Sequence, residues 1–322
     1  MASGLTHIML TKELQNKLKD GDLKNILAYG SDSLQVGAVA PDIPYASIVD
    51  NNLFCNQTSL ADSFHYQKTN QIPLQSLTLL KNNWGKIKEE EHYHLFSFYL
   101  GYISHVFADG IIHPFVRDKV GDYEKNKAEH RNLEMQLDVL FMHKLTERTG
   151  IGFELNYTNI HDELQNFAEN EKASAVAGTF SSLIHDVYNV DCSDKDILGW
   201  IKGLCRLFEM AEGGCPAFFR KSETNTFLYK NYNDIDQNDV LILKKPKDRI
   251  DNFLKAESIG FFENCLPQFY AKYIKIAEKA YNYVYKDGPA LTETEIPRIN
   301  LDTGRLASQA DLSNTPYLWK NN

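Results

Sequence analysis

The sequence predicts an all-α protein, a multi-helix bundle, and three observations carry that expectation. Apolar residues recur at helical rather than alternating spacing along most of the chain, strand signals are few, and the residues best able to do chemistry stand four apart. In Gly101-Tyr102-Ile103-Ser104-His105-Val106-Phe107-Ala108-Asp109-Gly110-Ile111-Ile112-His113-Pro114, three such residues, His105, Asp109 and His113, lie in an otherwise apolar segment. On a helix they stack along one face with a drift of about 40° per step. A buried face carrying two imidazoles and a carboxylate is costly unless something pairs with it, and a metal ion does that well. His130 and Glu134 repeat the interval one helix later. Histidine and carboxylate at this spacing on successive helices is how a bundle assembles a multi-metal site.

The elements follow in order. Thr11 is the expected N-cap of a first helix with the stripe Leu14, Leu18, Leu23, Ile26 and Leu27, and His7 sits just before it. Pro41 and Pro44 bracket Asp42 and are expected to hold it in an extended, non-helical segment among apolar neighbours. His65 lies between Phe64 and Tyr66. A short helix is expected over 73–87, then a long one from about 88 to 110 that opens on Glu89-Glu90-Glu91, suited to a positive helix N-terminus. Gly101 is expected to leave room beside His105. Pro114 should kink or stop the helix around Gly110–His113 and swing His113 out of phase, toward a second metal. His92 and His94 read as structural. A helix over about 122–147 carries His130 and Glu134 above the stripe Leu133, Leu137, Leu140 and Phe141. Further helical patterns span roughly 158–190, 194–212, 246–260 and 262–286, with breaks at Gly213-Gly214-Cys215-Pro216 and Asp287-Gly288-Pro289. No linker divides the chain, so residues 1–322 are expected to form one domain. Its metal-site helices fall within 1–147, and helices of 150–322 complete the bundle.

Composition narrows the class. With 43% hydrophobic and 24% charged residues, the chain is globular rather than disordered. No apolar run is expected to reach the roughly 20 residues that span a bilayer. Ile8-Met9-Leu10 is too short for a leader, so the expected location is the cytoplasm, or outside the cell if a leader was removed before this numbering. Cys55, Cys192, Cys205, Cys215 and Cys265 form no CxxC pair, which argues against thiolate zinc and a disulfide framework. A net charge of −9 argues against a stable nucleic-acid partner.

The order of these residues is recognisable. His7, Asp42 in a Pro-Asp loop, His65, His105-x3-Asp109, His113 and His130-x3-Glu134 together resemble the zinc-dependent phospholipase C family. That family includes the N-terminal domain of glycosylphosphatidylinositol-specific phospholipase D and shares its fold with zinc nucleases of single-stranded DNA and RNA. The resemblance implies an all-α bundle of the same type. It implies that Asp42, His65, His105 and Asp109 hold one zinc, and His113, His130 and Glu134 a second. His7, with Asp109 bridging, would take part in a third, and Asp42 would be the general base orienting the attacking water. Two features depart from the pattern. The gap from Asp109 to His113 is shorter than in the secreted bacillary enzymes and closer to the glycosylphosphatidylinositol-cleaving branch. His7 is preceded by Met1-Ala2-Ser3-Gly4-Leu5-Thr6, with no Trp at a freed terminus to complete a third site. A third zinc would require the terminus to fold back, or the main chain near Leu5–Thr6 to substitute.

The donor set of nitrogen and oxygen suits zinc. With three carboxylates, two zincs leave a formal site charge of +1 and a third makes it +3, attractive to a phosphodiester even on an acidic protein. The expected activity is zinc-dependent phosphodiester hydrolysis, foremost of a phospholipid at the glycerol side of its phosphate, with peripheral contact to a membrane. A single-strand nuclease and a non-catalytic zinc-binding bundle are the alternatives. Phe64, Tyr66 and Tyr45 are aromatics that would stack a base or cage a choline.

Overall fold

A computed structural model of the chain describes residues 4–19, 21–48, 57–123, 125–149, 158–211, 229–245 and 258–307. The architecture is all-α, as the spacing predicts. Its helices are α1 (Gly4–Lys17), α2 (Asp22–Tyr29), α3 (Ser31–Val39), α4 (Thr58–Tyr66), α5 (Gln71–Asn83), α6 (Glu89–Val120), α7 (Lys127–Thr149), α8 (Thr158–Glu169), α9 (Glu171–Tyr188), α10 (Asp194–Glu209), α11 (Gln237–Leu241) and α12 (Leu266–Tyr285). Two small antiparallel ribbons complete the described residues: β1 (Ile242–Lys244) with β2 (Ser258–Gly260), and β3 (Ile299–Asn300) with β4 (Arg305–Leu306). One apolar core runs from Leu5 of α1 to Leu301 beyond β3.

The bundle is built around α6. From Leu95 to Val116 every residue of this helix is buried, as expected of a helix with neighbours on all sides. By length and composition α6 would also cross a membrane, against the expectation that no such run exists, because Asp109 is the one charged residue between Leu95 and Val116. Here the apolar window is enclosed by the rest of the fold. Helix α3 crosses α6 at backbone contact. A Cβ on Gly37 would lie 1.9 Å from the Phe98 carbonyl oxygen, and one on Gly101 would lie 2.2 Å from that of Leu34. Gly101 therefore makes room for the α3 backbone rather than for His105. On the far side, the Tyr273 hydroxyl of α12 donates to the Leu100 carbonyl at 2.8 Å.

Further expectations change. Helix α1 begins at Gly4, not after Thr11, so His7 lies inside it. Its early start has a distant cause: Asp138 of α7 accepts from both the N–H and the hydroxyl of Thr6, at 2.8 and 2.6 Å. That satisfies a donor which a helix N-terminus otherwise leaves open. Asp42 is not extended but sits in the turn between α3 and a 3-10 helix, Ile43–Ile48, with its N–H bonded to the Val39 carbonyl at 2.9 Å. Helix α6 neither stops nor breaks before Pro114 but continues to Val120, so His113 keeps its helical phase. The Gly110 carbonyl, deprived of its usual donor by Pro114, is covered by Gly304 at φ +64°, where a Cβ would lie 2.3 Å from that oxygen. The stretch 158–190 is two helices, divided at Asn170, whose side chain caps α9. Finally, 258–260 is strand β2 rather than helix, while 246–257 and the break at 213–216 lie outside the described residues.

Of the histidines outside the expected ligand set, His92, His94 and His185 are held by ordinary hydrogen bonds and ion pairs. His92 is buried, with Nε2 at 2.8 Å from the Leu80 carbonyl and Nδ1 at 2.8 Å from the Tyr285 hydroxyl. His94 meets Ser33 at 2.9 Å and Asp32 at 3.6 Å. His185 does have an acidic neighbour, Asp191 at 2.9 Å, but both are exposed. Cys192, Cys205 and Cys265 form no disulfide, and Cys55 and Cys215 lie outside the described residues.

Candidate metal centre

All eight residues singled out in the sequence meet at one place, and each is buried, from 0% exposure at His7, His105 and Asp109 to 4% at Asp42, His65 and Glu134. They come from five segments: α1 (His7), the turn after α3 (Asp42), α4 (His65), α6 (His105, Asp109, His113) and α7 (His130, Glu134). Asp109 is the hub. Its Oδ1 lies 3.1 Å from His7 Nε2 and 3.4 Å from His113 Nε2, and its Oδ2 lies 3.2 Å from His105 Nε2 and 3.6 Å from His65 Nε2. On one side Asp42 Oδ1 is 3.2 Å from His65 Nε2. On the other, Glu134 Oε1 is 3.3 Å from His113 Nε2 and 3.2 Å from His130 Nε2. The His7 and His105 rings stack at 4.0 Å.

The outer nitrogens set the chemistry of the inner ones. His65 Nδ1 bonds the Ala61 carbonyl at 2.7 Å, His105 Nδ1 that of Ala38 at 2.8 Å, and His113 Nδ1 that of Leu301 at 2.9 Å. A carbonyl only accepts, so each Nδ1 carries the proton, and in the neutral ring Nε2 turns a lone pair inward. The Ala38 carbonyl is available because it belongs to the last turn of α3. The result is an assembly of acceptors: His65 and His105 bring their Nε2 atoms to 3.4 Å of one another, among three carboxylates. Among the described residues, His7 Nδ1 and Nε2, Asp42 Oδ1, both Asp109 oxygens, His113 Nε2, His130 Nδ1 and Nε2, and Glu134 Oε1 have no hydrogen-bond partner. Buried polar atoms without partners are costly, and a cation satisfies carboxylate oxygens and imidazole lone pairs together.

Protonation equilibria show the same strain. Burial drives the His7 imidazole below its ordinary pKa, and nearby His105 pushes it the same way. Burial acts against His105 and His113 as well. Asp109 and Asp42 overcome it at His105, and Asp109 and Glu134 carry His113 up to about 9. Burial would raise Asp42, Asp109 and Glu134, but the surrounding imidazoles hold all three carboxyls below the usual range. Three groups of ligand atoms lie within 4.8 Å of one another and are able to hold an ion: His7, Asp42 and His105; His65, His105 and Asp109; and His113, His130 and Glu134. The donor set of imidazole and carboxylate fits zinc.

Other contributors were missed by sequence reasoning. Asp138 stands four residues beyond Glu134, continuing the series His130, Glu134 along α7, and that spacing was the available signal. Burial drives its carboxyl well above the ordinary range, and it anchors Thr6 beside His7. The carbonyls of Ala38, Ala61 and Leu301 left no signal, since any residue supplies one. Leu301 also donates its N–H to the His65 carbonyl at 3.0 Å. Of the aromatics near the site, Phe64 is wholly buried against Tyr102 and Phe180 and has no free face for a ligand. Tyr45 and Tyr66 flank His65, with ring centroids 5.9 and 6.4 Å from it, and Tyr66 is 37% exposed.

Comparison with known proteins gives this arrangement a family. Searches of curated proteins and of solved structures returned no match. A family profile described as zinc-dependent phospholipase C matches residues 6–193, a span that holds all eight clustered residues and ends at Ser193, the N-cap of α10. Because that span is more than half of the chain, the protein belongs to the zinc-dependent phospholipase C family.

Proposed function

We propose that this chain hydrolyses a phospholipid at the glycerol side of its phosphate, releasing diacylglycerol and a phosphorylated head group. The observation that carries the reading is the buried cluster of imidazoles and carboxylates centred on Asp109 in a member of a zinc-dependent family. Asp42, His65, His105 and Asp109 are assigned to one zinc and His113, His130 and Glu134 to a second, with Asp109 offering an oxygen to each side. His7, 3.1 Å from Asp109 Oδ1 and with neither nitrogen in a hydrogen bond, is the donor for a third. Bound zinc would supply positive charge for the phosphodiester and lower the pKa of water. Asp42 is the proton acceptor. It lies at the edge of the cluster, in a turn rather than on a bundle helix, and its neighbours His105 and His65 keep it ionised against the effect of burial. Tyr45, whose hydroxyl donates to Asp62 at 2.7 Å, and Tyr66 flank His65. Aromatic faces beside carboxylates favour a cationic head group over a nucleic acid.

The test is phosphocholine release from phosphatidylcholine micelles by the zinc-loaded protein, with single-stranded DNA in parallel and His105→Ala as control. Lipid cleavage that the control abolishes is the expected result. Cleavage of DNA alone would move the activity to the nuclease branch, and zinc binding without either would leave a non-catalytic bundle. Asp42→Asn separates chemistry from metal holding: activity should collapse while most of the zinc stays bound. Full activity in that variant would remove Asp42 from the mechanism.

A further inference from the structure

A second feature lies at the opposite end of α6. Tyr93 is twelve residues before His105, about 18 Å along a helix. There α2, the first turns of α6 and the end of α12 enclose a cleft of about 790 Å3 whose walls carry five aromatic rings, Tyr29, Trp84, Tyr93, Tyr281 and Tyr285. Four large apolar side chains are markedly exposed among the described residues, and two of them, Tyr29 at 51% and Trp84 at 37%, are in this cleft. Its floor is fixed. His92 Nε2 donates to the Leu80 carbonyl, so Nδ1 accepts from the Tyr285 hydroxyl at 2.8 Å and locks that ring. Trp84 then stands edge-on to Tyr285 at 4.7 Å and nearly parallel to Tyr93 at 6.3 Å.

The charges point to the ligand. Asp22, Glu89 and Glu90 line the cleft against Lys88 and Lys286, leaving it acidic. Tyr93 donates its hydroxyl to Glu89, and Tyr281 donates to Asp22 at 2.9 Å. Each bond turns the ring's polar edge toward a carboxylate and leaves its negative face for a cation. The cleft already holds an ammonium in this way. Lys286 Nζ sits 5.7 Å over the Tyr281 ring and 3.3 Å from Asp22 Oδ2. A metal ion or a phosphate would gain little from five aromatic faces, whereas a methylated ammonium, weakly hydrated, gains from both rings and carboxylates. We infer that this cleft binds an organic cation of the trimethylammonium type, against Trp84, Tyr29 and Tyr93, at a site separate from the histidine–carboxylate cluster.

The inference does not depend on hydrolysis, and its test needs none. Tetramethylammonium is titrated into the full chain by calorimetry, then into Trp84→Ala and Tyr29→Ala, with circular dichroism to verify folding. Both side chains are exposed, so both variants should fold. Saturable binding is expected, weakened roughly fivefold by each substitution. No saturable binding, or binding that both variants retain at full strength, would overturn the assignment. Flotation with phosphatidylcholine and phosphatidylglycerol vesicles distinguishes the source of the cation. Recruitment to phosphatidylcholine alone, reversed by tetramethylammonium, supports the site with a lipid head group as occupant. Binding of the free cation without recruitment supports the site with a soluble cation as occupant.

Discussion

Residues 6–193 and the described residues beyond α10 contribute different kinds of atoms to the same cluster. The first region, the one the family profile matches, supplies all eight clustered side chains. The second supplies none. It supplies main chain instead: the Leu301 carbonyl that orients His113, the Leu301 N–H that holds the His65 carbonyl, and the Gly304 backbone that covers the Gly110 carbonyl below Pro114. Thr69 is tied to the same ribbon, its hydroxyl donating to the Ile299 carbonyl at 2.7 Å. The difference teaches that donor identity and donor orientation come from different parts of a chain, and that orientation is set by peptide groups as much as by side chains.

The sharpest way to break this comparison is at the hub. Asp109→Asn should lower hydrolysis by on the order of 10^3-fold, since it removes a charge that both halves of the cluster share. It should also lose zinc on dialysis, measured by metal quantification, and retention of full zinc would place the ions elsewhere. Next is pH, read on zinc-free protein by chemical denaturation. His113 titrates near 9 when folded against about 6.5 unfolded, so its contribution is fully present below 6.5 and lost as pH rises through 9. The loss is on the order of 3 kcal/mol, and zinc should abolish the slope by replacing the proton. The depressed carboxyls Asp109 and Glu134 act at the acid end, their contribution disappearing as pH falls below the usual carboxylate range.

The second region is tested by contrast at one position. Leu301→Pro deletes the N–H bonded to the His65 carbonyl and should weaken zinc binding by about 10–100-fold in chelator competition. Leu301→Met keeps both main-chain groups and should cost under about 1.5 kcal/mol of stability with zinc affinity unchanged. If the two variants bind zinc equally, side-chain packing rather than main chain does the orienting. A more local effect, on stability alone, is expected at Asp138. Replacement by Ala should cost about 2 kcal/mol in urea denaturation, because both donors of Thr6 lose their acceptor, whereas Asn keeps an acceptor oxygen and should be close to neutral.

The all-α class was legible in helical spacing, and so were five clustered positions, His105, Asp109, His113, His130 and Glu134, whereas His7, Asp42 and His65 stand in no such spacing and were marked only by their order in the family pattern. What was not legible depended on partners far along the chain. The start of α1 at Gly4 rests on Asp138, 132 residues from Thr6. The continuity of α6 through Pro114, where local rules favour a break, rests on a loop 190 residues away at Gly304. The crossing of α3 and α6 at Gly37 and Gly101 was invisible too, since each glycine alone reads as a neutral member of its helix.

The two hydrogen bonds of Leu301 have a consequence for how this chain tolerates change over time. Any residue but proline supplies the N–H and the carbonyl that reach His65 and His113, so an apolar substitution at Leu301 leaves that link in place. An inserted or deleted residue there shifts the register, and with it both hydrogen bonds and the cover over Gly110. The turn is therefore constrained in length, as an ordinary surface loop is not, and in composition at Gly304, where a Cβ would meet the Gly110 carbonyl.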